Sequence, residues 1–340
     1  MKIGLFSPLH DRHTGELQHG IESIAPGASR HFTIPEDGAP KVAVDRTGVF
    51  WDDVNVARLE IAYIHRFAYR NPVVPVPLDD IDWTLWQADY IAEQQRSSFI
   101  YSAFAEMERH GVTLINPPAV HIQNFMKADL LEDLREAGFK VPTLVCTNDL
   151  AVVNAFCADR KHVLWRPATG RAPWQLFGER QKELLISSRR PPILLSDVVA
   201  GPLVRAYLYD GEPLLCLQHS APEVAPLETL EVFRGVELPQ LSDELRRLAQ
   251  TMSLGWAQIQ FSVWNDEEIW VYDIDPDPLF DRLPDTIRQR LTHALAHRLA
   301  GKELATEALP EEPHPRPMTF LRRMLRILFE IEYKRHHGVN

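Results

Sequence analysis

The chain has 340 residues, 45% of them hydrophobic and 24% charged, a globular balance that excludes disorder over most of its length. With 36 Lys+Arg against 47 Asp+Glu the net charge is −11, which argues against a general binder of nucleic acid. Three scattered cysteines form no C-x-x-C pair, so neither a disulfide framework nor a zinc signature is written here. No run of 18 apolar residues exists to span a membrane. The opening MKIGLFSPLHDRH lacks the long apolar region of a secretory signal, and a reducing cytoplasm is the expected location. The length suits two or three packed subdomains.

KIGLF at 2–6 reads as a buried opening strand. Residues 10–40 are rich in Gly, Pro and His and read as loop, with a short helix at Gly15–Ile24. VAVD at 42–45 and VFWDD at 49–53 form a hairpin around Thr47-Gly48. Periodicity leaves 56–67 open between strand and helix. PVVPVPLDDIDW, 72–83, is an extended linker. A long helix runs from Trp83 to Gly111, its Trp83–Trp86 segment read as core. VTLINPP follows as strand and turn.

A second unit starts near Pro118. Residues 124–138 form an amphipathic helix with Asn124 as N-cap and Gly138 as stop. KVPTLVCT is a strand, LAVVNAFCAD a helix, HVLWRP a strand, and 193–199 another. LVRAYLYDGEPLLCLQH is the clearest hairpin, turning at Asp210-Gly211. SDELRRLAQTMSLG is a helix capped by Ser242 and stopped at Gly255. WAQIQFSVWNDEEIWVYDIDPDP is a second hairpin, turning at Asn265–Glu268. A helix at 286–301 ends at Gly301. An acidic, Pro-rich linker, 302–317, precedes a basic amphipathic helix, 318–336. Helices mixed with antiparallel hairpins indicate α/β and α+β architecture.

The last hairpin carries the most informative chemistry. Period-2 alternation puts Asp273 and Asp275 on one strand face. If the hairpin closes as read, Gln260 lies beside Asp273. Two carboxylates and an amide at a strand end suit a hard cation such as Mg²⁺, which takes oxygen ligands and bridges substrate phosphates. An acidic surface turn is the bland alternative. Lys127, on residue pattern alone, is an exposed helix lysine. Arg166 interrupts an apolar strand, which calls for a buried partner or a ligand. Arg205 reads equally as an edge-strand solvent arginine, and Asp197 as the start of a turn.

The order of these elements resembles the ATP-grasp superfamily, above all its alpha-L-glutamate ligase and peptide-modifying ligase branches. The resemblance covers about 113–301. INPP at 115–118, then Lys127 and the Gly138/Pro142 spacing, is similar to the segment whose lysine reaches the nucleotide phosphates. VLWRPATG, 163–170, looks like V-V-K-P-x-x-G and places Arg166 at the second phosphate-binding lysine. LLSDVVAG, 194–201, looks like the hinge L-V-Q-E-Y-I-x-G, whose backbone contacts adenine. Ser196 and Asp197 stand for Gln-Glu there, and Val198 and Val199 carry the backbone contact. Arg205 stands at the arginine of D-x-R-V-Y, which steadies the phosphate or acyl-phosphate. IQF and YDIDPDP resemble G-x-D-F and L-E-x-N-P-x-P, so Gln260, Asp273 and Asp275 fall at the metal-binding positions.

The departures are specific. Gln260 is neutral where the family has a carboxylate, while Asp275 replaces an Asn. ATGRAPWQ has one Gly where the family's flap has several; Arg171 adds a charge and Trp174 adds bulk. Leu203 replaces the family's Asp before the arginine. Gln218-His219 stands where many relatives carry a substrate-binding Arg.

The resemblance implies an ATP-grasp fold with an N-terminal pre-ATP-grasp α/β domain at 1–117. The ATP-grasp domain would span 118–301, with a lid at about 140–195 and a C-terminal subdomain at about 196–301. It implies an ATP- and Mg²⁺-dependent carboxylate–amine ligase acting through an acyl-phosphate on an amino acid, a peptide or a natural-product intermediate. The alternative is a degenerate ATP-grasp protein that binds a nucleotide, peptide or protein without ligation. The basic amphipathic pattern at 318–336 suits an anionic membrane surface, but the helix is expected rather to dock on the protein's own body, a second subunit or a partner protein.

Overall fold

The computed structural model describes residues 1–35, 40–66, 82–170, 172, 174–178, 181–183, 192–219, 233–235, 238–265, 268–279 and 283–303. The expected C-terminal helix, most of both Pro-rich linkers and Arg171 lie outside them.

The chain opens with strand β1 (Ile3–Ser7), fully buried, as its apolar run dictates. Helix α1 (Arg12–Ile24) follows, its N-terminus capped by Asp11, whose carboxylate accepts from Thr14 N. Strand β2 (Ser29–Thr33) then falls where the sequence reads as loop, because only Phe32 is buried and no apolar alternation marks it. Strands β3 (Val42–Asp45), β4 (Gly48–Trp51) and β5 (Val54–Asn55) make a small antiparallel sheet. The ambiguous stretch resolves into a 3₁₀ turn (Val56–Arg58) and strand β6 (Ile61–Ile64). Helix α2 (Trp83–Arg109) leads to β7 (Thr113–Ile115). The order β2-β1-β6-β7, all parallel, is an α/β sheet.

The start of α2 departs from the sequence reading. Trp83 is 56% exposed and stacks edge-on with Trp86 instead of entering the core. Burial on α2 begins at Ser97 and runs through Ile100, Phe104 and Met107.

Helix α3 (Pro118–Ile122) and a 3₁₀ turn (Gln123–Phe125) precede helix α4 (Lys127–Glu136). Asn124 therefore sits ahead of the helix and does not cap it; Met126 holds that position without a side-chain bond. Strand β8 (Leu144–Thr147), helix α5 (Leu150–Cys157) and strands β9 (Val163–Pro167), β10 (Gln175–Leu176) and β11 (Ile193–Asp197) form a second sheet, ordered β10-β9-β11-β8 and antiparallel.

Strands β12 (Leu203–Tyr209), β13 (Glu212–His219), β14 (Phe233–Gly235), β15 (Trp256–Trp264) and β16 (Glu268–Asp275) make a third, antiparallel sheet, ordered β14-β13-β12-β15-β16. Asp210 and Gly211 turn its first hairpin with φ of 48° and 77°, the left-handed pair such a turn needs. The helix Ser242–Thr251 begins at Ser242, and Leu241 occupies the cap with no side-chain bond. It buries Leu245 and Leu248 against this sheet. The helix Asp285–Leu299 buries Leu291 and Leu295 between the first sheet, α1 and the third sheet, in one core with Leu5, Leu17, Tyr63, Tyr207 and Trp256. That shared core locks the parallel sheet to the antiparallel one.

Between β11 and β12, Gly201 has φ of 120°, and a Cβ there would stand 2.1 Å from the Val263 carbonyl oxygen. Only glycine lets the connecting backbone pass this close to β15.

Candidate functional site

The charged cluster is assembled from five elements. Strand pairing sets Arg205 of β12 opposite Gln260 of β15, and Gln260 opposite Asp273 of β16. Arg205 thus lies on a central strand, not on an edge, and is half-buried. The three side chains stand in a row across the sheet. Lys127, at the start of α4, and Arg166, on β9, close over its Asp273 end.

Lys127 and Arg166 are each 1% exposed. Burial this deep removes the exposed-lysine alternative, since an ammonium leaves water only for a partner. Both find Asp273. Lys127 Nζ lies 2.8 Å from its Oδ1, and Arg166 Nη1 lies 2.7 Å from its Oδ2. Lys127 also donates to the Ile274 carbonyl, and Arg166 to that of Gly170. Burial pushes the Asp273 carboxyl up, but the two cations together outweigh burial and hold it below the usual carboxylate range.

Asp275 is 7% exposed, and its Oδ1 accepts from Asn124 Nδ2 at 3.0 Å and from Asp277 N at 3.0 Å. Asn124 accepts in turn, through its carbonyl, from Gly170 N at 2.9 Å. One residue thus ties the carboxylate to the flap loop after β9. Trp174 of that loop lies under Arg166, 5.6 Å from ring centroid to guanidinium, and its indole N–H donates to the Tyr272 carbonyl.

The segment expected to serve as the hinge follows β11. Ser196 is buried and its hydroxyl donates to the Asp197 carbonyl. The Asp197 side chain pairs with Arg160. Val198 is 41% exposed. Val199 N–H donates to the Tyr272 hydroxyl at 2.7 Å, and that hydroxyl donates to the Asp197 carbonyl at 3.3 Å.

A cavity of about 680 Å³ lies beside the hinge, lined by Thr143, Arg160, His162, Val198, Trp264 and Trp270 among others. Lys127, Arg166, Arg205, Asp273 and Asp275 are not among its lining residues. The charged cluster is the more informative of the two, because it holds the groups that can do chemistry.

Whether Mg²⁺ fits can be judged from the donor set. Asp273 and Asp275 offer carboxylate oxygens and Gln260 an amide oxygen, the ligand type a hard cation takes, and all three are 7–8% exposed. Both Asp273 oxygens are engaged by cations. Among the described residues no group of three His, Cys, Asp or Glu side chains is placed to hold a metal. The set fits a divalent ion in donor chemistry once an anionic ligand draws off Lys127 and Arg166.

Several residues central to this region escape sequence reasoning. Asn116 is 1% exposed; its amide accepts from Gly255 N and Trp256 N, and donates to the carbonyls of Trp256 and Pro276. It staples β7 to both strands of the acidic hairpin. His65 lies between two aspartates, 2.6 Å from Asp277 through Nδ1 and 3.8 Å from Asp11 through Nε2. Arg66 joins them through its backbone N–H to Asp277 and its guanidinium to Asp11. Only the INPP segment and the DPDP repeat gave a local signal for any of these.

No protein-family model matches the chain, and no curated protein matches it in sequence. Solved structures do. The ATP-grasp ligase PsnB, complexed with minimal precursor, Mg and ADP, superposes with a TM-score of 0.70 at 20% identity, over 88% of this chain and 96% of that one. The macrocyclase MdnC from Microcystis aeruginosa MRC, bound with precursor peptide MdnA, gives 0.68 at 14% identity, over 88% and 99%. A RiPP-associated ATP-grasp ligase of Chryseobacterium gregarium, in complex with ADP and a leader and core peptide, gives 0.65 at 14%, over 89% and 98%. The chain therefore has the ATP-grasp fold. The likeness extends over nearly the whole length of these enzymes.

Proposed function

We propose that the protein is an ATP-dependent carboxylate–amine ligase that modifies a peptide. The observation that carries the reading is the convergence of Lys127, Arg166, Asp273, Gln260 and Arg205 from five elements onto one sheet face. The near full-length likeness to ligases solved with nucleotide and precursor peptide supports it.

On this reading the nucleotide phosphates compete with Asp273 for Lys127 and Arg166. Those cations stabilise the charge that develops on the transferred phosphoryl group. Asp273, Asp275 and Gln260 would hold Mg²⁺, which would supply positive charge against the phosphates. A substrate carboxylate oxygen attacks the γ-phosphorus, and the bond from phosphorus to ADP breaks. An amine then attacks the acyl carbon, phosphate leaves, and the amine nitrogen loses a proton. Arg205, next in the row, would steady the acyl-phosphate.

The buried Lys127–Asp273–Arg166 triad also supports the second reading, a nucleotide- or peptide-binding protein without turnover, because both of its cations are buried and already paired with Asp273. Release of ADP and phosphate separates the two. With ATP, Mg²⁺ and a panel of Asp- and Glu-containing peptides, the ligase reading expects a peptide product and stoichiometric ADP, both lost in Lys127→Met. ATP binding with no product from any peptide would favour the second.

A further inference from the structure

The hinge presents one carbonyl, Asp197 O, and one N–H, Val199 N, two residues apart. A carbonyl and an N–H so spaced complement a ring edge that carries a donor beside an acceptor, the pattern of the exocyclic amine and adjacent ring nitrogen of adenine. Both groups are already used. The Tyr272 hydroxyl accepts from Val199 N at 2.7 Å and donates to Asp197 O at 3.3 Å, so one atom supplies the donor and the acceptor together.

Tyr272 reaches this place through an irregularity in the sheet. Pairing between β15 and β16 steps from Gln260↔Asp273 to Phe261↔Val271, which leaves Tyr272 without a partner. Such a bulge breaks the alternation, so neighbouring residues serve the same cleft. Tyr272 bonds the hinge while Asp273 bonds Lys127 and Arg166. The ring is 3% exposed, with Trp174 edge-on at 6.2 Å.

We infer that Tyr272 is the specificity-determining residue of the nucleotide site: its hydroxyl stands in for the base edge, and adenine binds through the hinge only by displacing it. This rests on the ATP-binding reading above. While the hydroxyl holds the hinge, affinity comes from the phosphates and is nearly blind to the base. Guanine offers the opposite pattern, an oxygen beside an N–H, and gains nothing when the hinge is freed.

The test is the dissociation constant of AMPPNP, GMPPNP and tripolyphosphate, each with Mg²⁺, for the full chain and for Tyr272→Phe and Tyr272→Ala. Thermal melts confirm that each variant is folded, and Tyr272→Ala also removes the ring. The inference expects the unaltered protein to bind AMPPNP and GMPPNP within about threefold of each other. At least one variant should bind AMPPNP tenfold or more tightly, with GMPPNP and tripolyphosphate unchanged. AMPPNP binding that is equal or weaker in both variants overturns the role of Tyr272 and leaves the ATP-binding reading standing. Binding of none of the three ligands by any of the proteins overturns both.

Discussion

Asp273→Asn removes one charge from the buried triad and keeps its shape. Lys127 and Arg166, each 1% exposed, are then left facing a neutral amide. Breaking a buried ion pair from one side costs about 3–5 kcal/mol, because the remaining charge stays desolvated. At a urea slope of about 3 kcal/mol/M the unfolding midpoint falls by roughly 1–2 M. Polyphosphate supplies the missing negative charge, so tripolyphosphate at a hundredfold excess over its Kd returns about 2.7 kcal/mol. The pH dependence has a defined sign. The folded Asp273 carboxyl lies below its ordinary value, so its stabilisation is complete above about pH 4 and is lost as pH falls through the depressed value. The Asn variant lacks that acid limb. Urea melts between pH 3 and 8, with and without tripolyphosphate, read all of this. A loss under about 1 kcal/mol, or no rescue by the anion, would refute the claim that Asp273 neutralises two buried phosphate-binding cations.

His13 is buried beside His65, and its hydroxyl partner is Tyr63 at 2.8 Å. Burial first and His65 second hold its pKa well below 6.5, so the unfolded state takes the proton first and stability falls below about pH 6.5 by up to ~1.4 kcal/mol per unit. His13→Gln should flatten that slope in pH-dependent melts. Asn116→Ala strips partners from two N–H groups and two carbonyls and should cost at least about 3 kcal/mol in urea unfolding. Gly201→Ala drives a Cβ into the Val263 carbonyl at 2.1 Å; it should lower the melting temperature far more than Gly27→Ala, whose Cβ meets nothing within 4 Å, although both have positive φ.

The parts of the site that share a strand or a hairpin were legible. Alternation placed Asp273 with Asp275, hairpin closure placed Gln260 beside Asp273, and an Arg in VLWRP announced a buried partner. Contacts made across sequence separations above a hundred residues were not. Asn116 and Asn124 carry no periodic signal, and their side-chain partners lie 139–160 residues away. Tyr272 was hidden for another reason. Period-2 reading puts it on the face opposite Asp273, and only the bulge in β16 brings both to one cleft. The exposed start of α2 misled for a third reason, since tryptophan in a helical pattern reads as core until its neighbours are known.

Nucleotide affinity tests the central claim most directly. Isothermal titration of the full chain with AMPPNP, with and without Mg²⁺, should show binding that strengthens with the metal and is abolished in Lys127→Met. Absence of binding under both conditions, in the unaltered chain and in Tyr272→Ala alike, would contradict a nucleotide site built on Lys127, Arg166 and Asp273.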